Sequence, residues 1–561
     1  MILTKKVGTY FIGVVALAAF LLLLAENTPF GDAHPRLFRA VNLFVWLLFV
    51  GEVLVRLFTS DDKAAYLRRY WLDFIVFIPL IQYIPGAYEP SVSTIVRQVV
   101  IVVMLVSRIR RARSLMQLLR LRPAQLMLSG FLGTIGVGSV LLMLPAATMS
   151  GERLPLVDAL FTATSAVCVT GLIVEDTATY FSTFGQLIIL ALIQVGGLGI
   201  MTFSVALAVL LGKPMDVSQR AILQDALDHE TLAGVRSLIR FIVLMTFGFE
   251  LAGAVLLFFS WHGQFASLPV AAYHSFFHAV SAFCNAGFST FSDSLMGFQS
   301  NLGVNAVICG LIVFGGLGFV VIQSLVMAVQ NRYHGKSRKR LRLQTVIVIR
   351  VTLVLIVGGA ILVYLFERSG LFGGMAAGDA VLGAVFQSIT ARTAGFNTVD
   401  IASLSSATLF AIIVLMFIGA SPGSTAGGIK TTTVACLWAA IVTSLRGRPH
   451  VEIRRRTIPT DSVYKAVTLL CISLTAVTVF TLALLYTEDQ PFLDMLFEAV
   501  SAFATVGLSM GVTPELSTEG RVLITMLMFI GRLGPLTIAY AMLPALKKAT
   551  YKYAEERIMI G

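Results

Sequence analysis

The glycines Gly171, Gly287, Gly395 and Gly507 recur 116, 108 and 112 residues apart, and each closes a short segment of one character. The segments read Val169-Thr170-Gly171-Leu172, Asn285-Ala286-Gly287-Phe288, Thr393-Ala394-Gly395-Phe396 and Thr505-Val506-Gly507-Leu508, with small and polar residues before the glycine and a bulky apolar residue after it. The chemistry this pattern permits is replacement of a cation's hydration shell. Stripping water from a monovalent cation must be offset by a ring of carbonyl oxygens. Turning successive carbonyls toward one axis requires dihedrals that glycine reaches without a Cβ penalty. The candidate ligands are the main-chain carbonyls of residues 169–171, 285–287, 393–395 and 505–507. One chain is expected to carry all four walls of one pore, and no titratable nucleophile is needed.

The elements that position these segments repeat with them. Each glycine follows a spanning helix and a shorter apolar run, and precedes a polar stretch and a second spanning helix. Non-helical backbone at membrane depth is tolerated only where it is buried or lines water, so the order reads as helix, re-entrant pore helix, filter, helix. Phe161 and Ser165, Phe277 and Ser281, and Phe497 and Ser501 stand ten and six residues before their glycines, whereas the third repeat, from Phe386 to Thr390, is looser. The second helices carry Gly196-Gly197-Leu198-Gly199, Gly315-Gly316-Leu317-Gly318 and Gly531-Arg532-Leu533-Gly534, and repeat three diverges after Ile418-Gly419. Taken alone this motif could do no more than let helices pack closely. Its recurrence in step with the filters makes it part of the repeat architecture.

Composition sets the environment. A chain of 561 residues that is 57% hydrophobic and 13% charged is a polytopic membrane protein, not a set of soluble domains. The net charge of +12 could point to nucleic acid, but the basic residues lie in short clusters between apolar runs, which membrane orientation explains better. Twelve apolar runs of spanning length can be placed, with both termini on one side, and 33 of the 42 Lys and Arg then fall on the cytoplasmic side. The run from Val7 to Ala25 after Lys5 and Lys6 is expected to be a retained helix and not a cleaved signal. The five cysteines are scattered through apolar segments and suggest neither disulfides nor zinc.

Other groups offer weaker chemistry. Glu175, Asp176, Asp293, Asp400 and Glu515 follow the filters on the outer side, where they could concentrate cations or be ordinary loop residues. His274 and His278 stand four apart without a third ligand, so a metal site is not expected. Motifs of hydrolases, zinc proteases and nucleotide-binding loops are missing, which leaves an enzyme reading with little support. Between residues 419 and 430, four glycines, Pro422 and a Ser/Thr cluster cannot continue a regular helix, so the second helix of repeat three is expected to break beneath the filter. Arg532 stands where the other repeats have Gly197, Gly316 and Ala420. A guanidinium among lipid costs about 2.5–3.5 kcal/mol, so Arg532 is expected to face the pore. A helix–helix ion pair is the alternative, and Lys430 shares the ambiguity.

Residues 123–561 resemble the Trk/Ktr/HKT superfamily of potassium transporters, most nearly the membrane subunits of bacterial Trk and Ktr systems. The likeness rests on the four filter segments and on the run from Gly419 to Lys430. It implies an all-α polytopic membrane protein with four helix/pore-helix/filter/helix repeats, about 123–212, 235–331, 345–446 and 462–546, in pseudo-four-fold arrangement. It further implies potassium uptake across the cell membrane, no cofactor, a homodimer with one pore per protomer, and a cytosolic ring of nucleotide-binding regulatory subunits. Glycine in all four filters goes with potassium selectivity in this superfamily. Gly419, Ser421, Pro422, Gly423, Ser424, Thr425, Gly427, Gly428 and Lys430 correspond to its intramembrane gating loop, and Arg532 resembles its arginine below the filter. Arg532 is expected to pair with gate-loop carbonyls or polar side chains and to raise the barrier to cation exit.

Residues 1–122 stand apart as a four-helix accessory domain. Glu52, Arg56, Asp73 and the basic run from Arg108 to Arg122 look like a degraded voltage-sensor bundle, but Arg97 stands alone where a working sensor needs arginines at every third position. A packing, dimer or lipid-facing role is favoured for it. A voltage-gated or sodium-permeable cation channel remains the rival reading, and Asp216 to Arg236 could be a docking surface or a plain cytoplasmic loop.

Overall fold

The computed structural model describes residues 123–199, 232–334 and 341–542, together with eight helical residues between Trp46 and Phe58. The rest of the expected N-terminal bundle, including Glu52, Arg56, Asp73, Arg97 and Arg108 to Arg122, and most of the Asp216 to Arg236 segment lie outside the described residues.

Helices dominate, and they fall into the expected repeats. Repeat one holds α1 (Pro123–Leu142), the pore helix α2 (Leu156–Cys168) and α3 (Thr183–Leu198). Repeat two holds α4 (Leu232–Trp261), pore helix α5 (Leu268–Cys284), α6 (Leu302–Leu317) and α7 (Phe319–Tyr333). Repeat three holds α8 (Leu343–Glu367), pore helix α9 (Ala377–Thr390), α10 (Ser406–Phe417) and α11 (Thr431–Leu445). A short hairpin of β1 (Glu452–Ile453) and β2 (Arg456–Thr457) leads into repeat four. That repeat holds α12 (Thr460–Thr487), pore helix α13 (Phe492–Ala504), α14 (Thr518–Leu533) and α15 (Pro535–Met542).

Arg240–Gln264, Leu343–Glu367 and Thr460–Thr487 are each long and apolar enough to cross a membrane. These first helices leave Leu251, Phe259, Val354 and Leu482 exposed, as lipid-facing helices do. The pore helices are the opposite. Phe161, Phe277, Phe386 and Phe497, the residues whose spacing repeats in the sequence, are all buried.

The repeats close into a ring. Each second helix packs not only within its own repeat but on the pore helix of the next: α3 on α5, α6 on α9, α10 on α13, and α14 back on α2. The last junction is fastened by Arg521 on α14, whose Nη1 donates to Asp158 Oδ1 on α2 at 2.6 Å.

One expectation needs correction. A break is predicted only in the second helix of repeat three, yet the second helices of the other three repeats also end, at the last glycine of their motif, and α10 ends earlier than they do. Gly199, Gly318 and Gly534 terminate α3, α6 and α14 with φ of 71°, 89° and 81°, and α10 ends at Phe417. The helix after Gly318 turns away by 100°, so residues 303–329 form a bent pair and not one straight span. The reason is local: a positive φ at the last glycine of the motif cannot continue a right-handed helix. The first glycine serves packing. A Cβ on Gly196, Gly315 or Gly531 would lie 2.0, 2.0 or 1.8 Å from the carbonyl oxygen of Val167, Phe283 or Phe503, at the foot of a pore helix. Both roles of the motif are therefore present.

Candidate functional site: a ring of four filter loops

Each pore helix ends in the same backbone gesture. Val169, Asn285, Thr393 and Thr505 take left-handed dihedrals, with φ of 56°, 60°, 69° and 52°, and the filter glycine follows two residues later at φ 97°, 69°, 81° and 90°. The chain is thus turned out of the helix and its next carbonyls are freed from helical pairing. Thr170 N, Ala286 N, Ala394 N and Val506 N each bond back to the carbonyl of Ser165, Ser281, Thr390 and Ser501 at 2.8–3.0 Å. Among the described residues, none of the twelve carbonyls of 169–171, 285–287, 393–395 and 505–507 accepts a hydrogen bond within the protein.

The recurring serine now has a reason. Ser165 Oγ accepts from Gly171 N (3.1 Å) and donates to Leu172 O (2.7 Å), so it pins the filter on both sides of its glycine. Ser281 Oγ donates to Phe288 O (2.8 Å), and Ser501 Oγ accepts from Gly507 N (3.1 Å). The loose third repeat is a one-residue shortening with the same clamp: Thr390 Oγ1 donates to Phe396 O at 2.5 Å.

The four glycines meet. A Cβ on Gly171 would lie 2.5 Å from Ala286 O, one on Gly287 2.8 Å from Ala394 O, one on Gly395 2.5 Å from Val506 O, and one on Gly507 2.1 Å from Thr170 O. Filter one abuts two, two abuts three, three abuts four, and four abuts one. All four glycines also line a single vestibule of about 270 Å³. Side chains largely point away from the axis. The Asn285 amide donates to Ala282 O (3.0 Å) and Ile312 O (3.3 Å) in its satisfied orientation, and Val169, Ala286, Ala394 and Val506 are packed in the core. Thr170, Thr393 and Thr505 keep buried hydroxyls without a protein partner among the described residues.

The broken stretch of repeat three lies beneath this ring. Thr425 Oγ1 donates to Phe283 O (3.3 Å), at the foot of pore helix α5, and Gly427 is so close to filter four that a Cβ there would sit 2.2 Å from Thr505 Oγ1. Ser421 N and Thr425 N bond Gly316 O and Gly315 O, and Phe319 N bonds Gly423 O, so Gly419, Ser421, Pro422, Gly423 and Ser424 thread across the break between α6 and α7. Gly428, at φ 66°, brings the chain back past Gly419. Two basic side chains hold the loop. Arg532 donates from Nη1 to Thr425 O and from Nη2 to Gly196 O, and Lys430 Nζ donates to Ala426 O (2.7 Å) and Gly427 O (3.3 Å). The pairing expected of Arg532 with gate-loop carbonyls is present, and its other bond ties the loop to repeat one.

The outer acids divide. Asp176 and Asp293 line the vestibule, whereas Glu175, Asp400 and Glu515 do not. Asp400 Oδ1 accepts from Ala402 N within its own turn, and Glu515 accepts from Gln490. Burial, ahead of the neighbouring Asp158 carboxylate, pushes the Glu175 carboxyl above its ordinary value against the pull of Arg521. Asp176 Oδ2 accepts from Ser292 Oγ at 2.5 Å, which joins the outer loops of repeats one and two. His274 and His278 do not converge on a common point: His278 Nδ1 donates to His274 O (2.8 Å), and His274 Nδ1 meets Thr290 Oγ1 (2.6 Å). No group of three metal-ligating side chains occurs among the described residues.

Residues 99–550 match the family model described as TrkH, cation transport protein. The chain belongs to this family. It is 40% identical over 451 residues to the Ktr system potassium uptake protein B of Bacillus subtilis, covering 79% of this chain and 97% of that one. The protein of the same name from Vibrio alginolyticus is 39% identical over 439 residues, with 78% and 94% covered. The potassium/sodium uptake protein NtpJ of Enterococcus hirae is 39% identical over 451 residues, with 79% and 98% covered. The crystal structure of the potassium transporter TrkH from Vibrio parahaemolyticus superposes with a TM-score of 0.58 at 16% identity, over 95% of this chain and 99% of that one, which establishes a common fold.

Several residues that complete the site carry no strong mark in the sequence. The second helices all start on a side-chain cap, Ser182, Asn301, Ser405 or Ser517, and this Ser/Asn preference was available as a signal. Their anchors were not. Glu367 accepts from Ser405 N (2.8 Å), Ser405 Oγ (2.7 Å) and Thr408 Oγ1 (2.5 Å), and Glu488 accepts from Ser517 N (3.0 Å) and Ser517 Oγ (2.5 Å), so the first helices of repeats three and four grip the second.

Proposed function

We propose that this chain takes up potassium across the cell membrane through a selectivity filter built by its own four repeats and controlled by the loop from Gly419 to Lys430. One observation carries the reading: the four filter glycines abut in cyclic order around the floor of a single vestibule. Carbonyls of residues 169–171, 285–287, 393–395 and 505–507 replace the water of a dehydrated cation, and the Ser165, Ser281, Thr390 and Ser501 clamps hold them at a fixed spacing. Two relatives at about 40% identity are named potassium uptake proteins, which supports potassium as the cargo.

Below the filter, the Arg532 guanidinium of α14 is held against the gate loop by Thr425 O, which opposes cation exit until the loop moves. Because one arginine bridges Thr425 O and Gly196 O, a displacement of the loop must break a charge-assisted bond. That gives the loop two discrete states. Binding of a nucleotide-sensing regulatory ring at the cytoplasmic face of a homodimer would select between them. Both termini are assigned to the cytoplasm from the distribution of Lys and Arg. Residues 1–122 are assigned to an accessory membrane domain and 123–561 to the pore domain.

The test is growth of potassium-uptake-deficient cells at limiting potassium, with and without a co-expressed regulatory subunit, and with sodium as a competing ion. Rescue that depends on the chain, strengthened by the regulator and indifferent to modest sodium, is the expected result. Failure to rescue with protein present in the membrane would reject potassium uptake, and equal transport of sodium would assign a broader cation pathway.

A further inference from the structure

The four filters are alike in backbone but not in what stands behind them. The residue after each recurring phenylalanine is polar and buried: Thr162, His278, Gln387 and Glu498. In repeat two, His278 Nδ1 donates to a carbonyl, which leaves Nε2 of the neutral ring to accept from Ser289 Oγ at 3.0 Å. Ser289 lies two residues past filter glycine Gly287, and its Oγ also accepts from Phe291 N at 2.9 Å. Repeat four builds the same device from other residues. Glu498 Oε1 accepts from Thr513 Oγ1, and Thr513 Oγ1 lies 3.1 Å from Ser509 Oγ, two residues past Gly507. Ser509 Oγ in turn accepts from Gly511 N at 3.0 Å.

Repeats one and three lack this grip. Ile173 and Asn397 stand two residues past Gly171 and Gly395, and Asn397 Nδ2 donates to Val399 O instead. Thr162 Oγ1 and both amide atoms of Gln387 have no partner among the described residues. Given the cyclic order of the glycines, filters two and four face each other across the axis, so the bracing has two-fold symmetry inside a four-fold ring. We infer that His278 and Glu498 are positioning residues that brace the two opposed filters two and four from behind, through Ser289 and through Thr513 and Ser509, and thereby set the discrimination between alkali cations. Neither residue touches the ion. Each grips the segment leaving its filter glycine from the pore helix behind it, whereas filter one is held by Ser165 on both sides of Gly171 and filter three through its neighbour, Asn397 N donating to Ser294 Oγ (3.2 Å) and Leu295 N to Asn397 O (3.0 Å).

This rests on the proposed uptake function. The experiment uses the full chain, purified and reconstituted in vesicles, and reads potassium and sodium uptake per transporter. Glu498→Leu and His278→Phe remove the grip, and Glu498→Gln and His278→Gln retain an atom able to accept from Thr513 or Ser289. Thr162→Val is the matched change in a repeat whose pore-helix polar residue makes no such grip, and Thr513→Val interrupts the repeat-four grip without touching Glu498. The two removing variants and Thr513→Val are expected to lose about tenfold in preference for potassium over sodium and to raise the KM for potassium, with maximal rate per transporter largely kept. The Gln variants recover most of the preference, and Thr162→Val stays within about twofold of the parent. A merely structural role would lower the amount of folded protein without moving KM or the ion ratio. That outcome overturns the inference, as does a loss in Thr162→Val equal to that in Glu498→Leu. Lack of potassium uptake by the unmodified chain would instead defeat the proposed function.

Discussion

Alanine placed at the filter glycines should damage ion selection in an order set by geometry. At Gly507 the backbone has φ 90° and a Cβ would lie 2.1 Å from Thr170 O and 2.9 Å from Gly171 Cα. At Gly287 the φ is 69°, and the nearest atom, Ala394 O, is 2.8 Å away. A carbon and a carbonyl oxygen need about 3.3 Å at closest approach, so Gly507→Ala must push Thr170 O by about 1.2 Å and Gly287→Ala must push Ala394 O by about 0.5 Å. Backbone strain adds about 1–3 kcal/mol where an L residue leaves the populated regions, and Gly287, at 69°, has the smallest φ of the four. A cage of carbonyls distorted by an ångström loses the spacing that separates one alkali ion from another. Discrimination of potassium against sodium should fall about 5- to 150-fold in Gly507→Ala. Gly171→Ala and Gly395→Ala, each with 2.5 Å approaches, should lie between it and Gly287→Ala. Competitive uptake of the two ions into vesicles, normalised to transporter, measures the series. If Gly287→Ala proved as severe as Gly507→Ala, or if all four kept the parent's discrimination, the carbonyl ring would not be the selecting element.

Arg532→Ala removes the donors to Thr425 O and Gly196 O, and should raise potassium flux in the absence of any regulator; unchanged flux would discard its role at the gate. Arg521→Ala opens the half-buried ion pair that joins the last repeat to the first, and should destabilise the fold by about 1.5–3 kcal/mol, read as a lower Tm in detergent. Asp158→Asn should give a similar fall, and the double variant should show little further loss if the two residues act as one pair. Gly531→Ala would bring a Cβ to 1.8 Å of Phe503 O, so little folded protein should reach the membrane, whereas Gly310→Ala, where nothing lies within 4 Å, should be tolerated.

The four glycine loops were legible because backbone that must turn out of a helix recruits glycine at a fixed distance from the helix end. The serine six residues earlier was visible as a repeat, but its clamp on Gly171 N and Leu172 O required coordinates. Repeat three looked irregular because spacing was counted from Phe386; measured by what Thr390 holds, it is one residue shorter and otherwise alike. The Gly419 to Lys430 stretch announced its own break through proline and glycine. The breaks at Gly199, Gly318 and Gly534 were hidden because their flanking runs are apolar enough to read as continuous spans. Outer acids were grouped by sign alone, and only Asp176 and Asp293 reach the vestibule, since loop path and not charge decides which carboxylates face it.

Periodicity, apolar length and the placement of Lys and Arg are properties of the chain taken one segment at a time, and they suffice for the membrane, the four repeats and the positions of the glycine turns that follow the short helices. The closure of those repeats depends on contacts between residues hundreds of positions apart: Gly507 against Thr170, Arg521 against Asp158, Arg532 between Thr425 and Gly196. Such pairs leave no local trace, because a carbonyl has no side chain to be read and a buried charge declares its partner only when both are in place. The membrane solvates neither, so the tertiary structure alone determines which groups are paired and which carbonyl oxygens are left without a protein partner among the described residues.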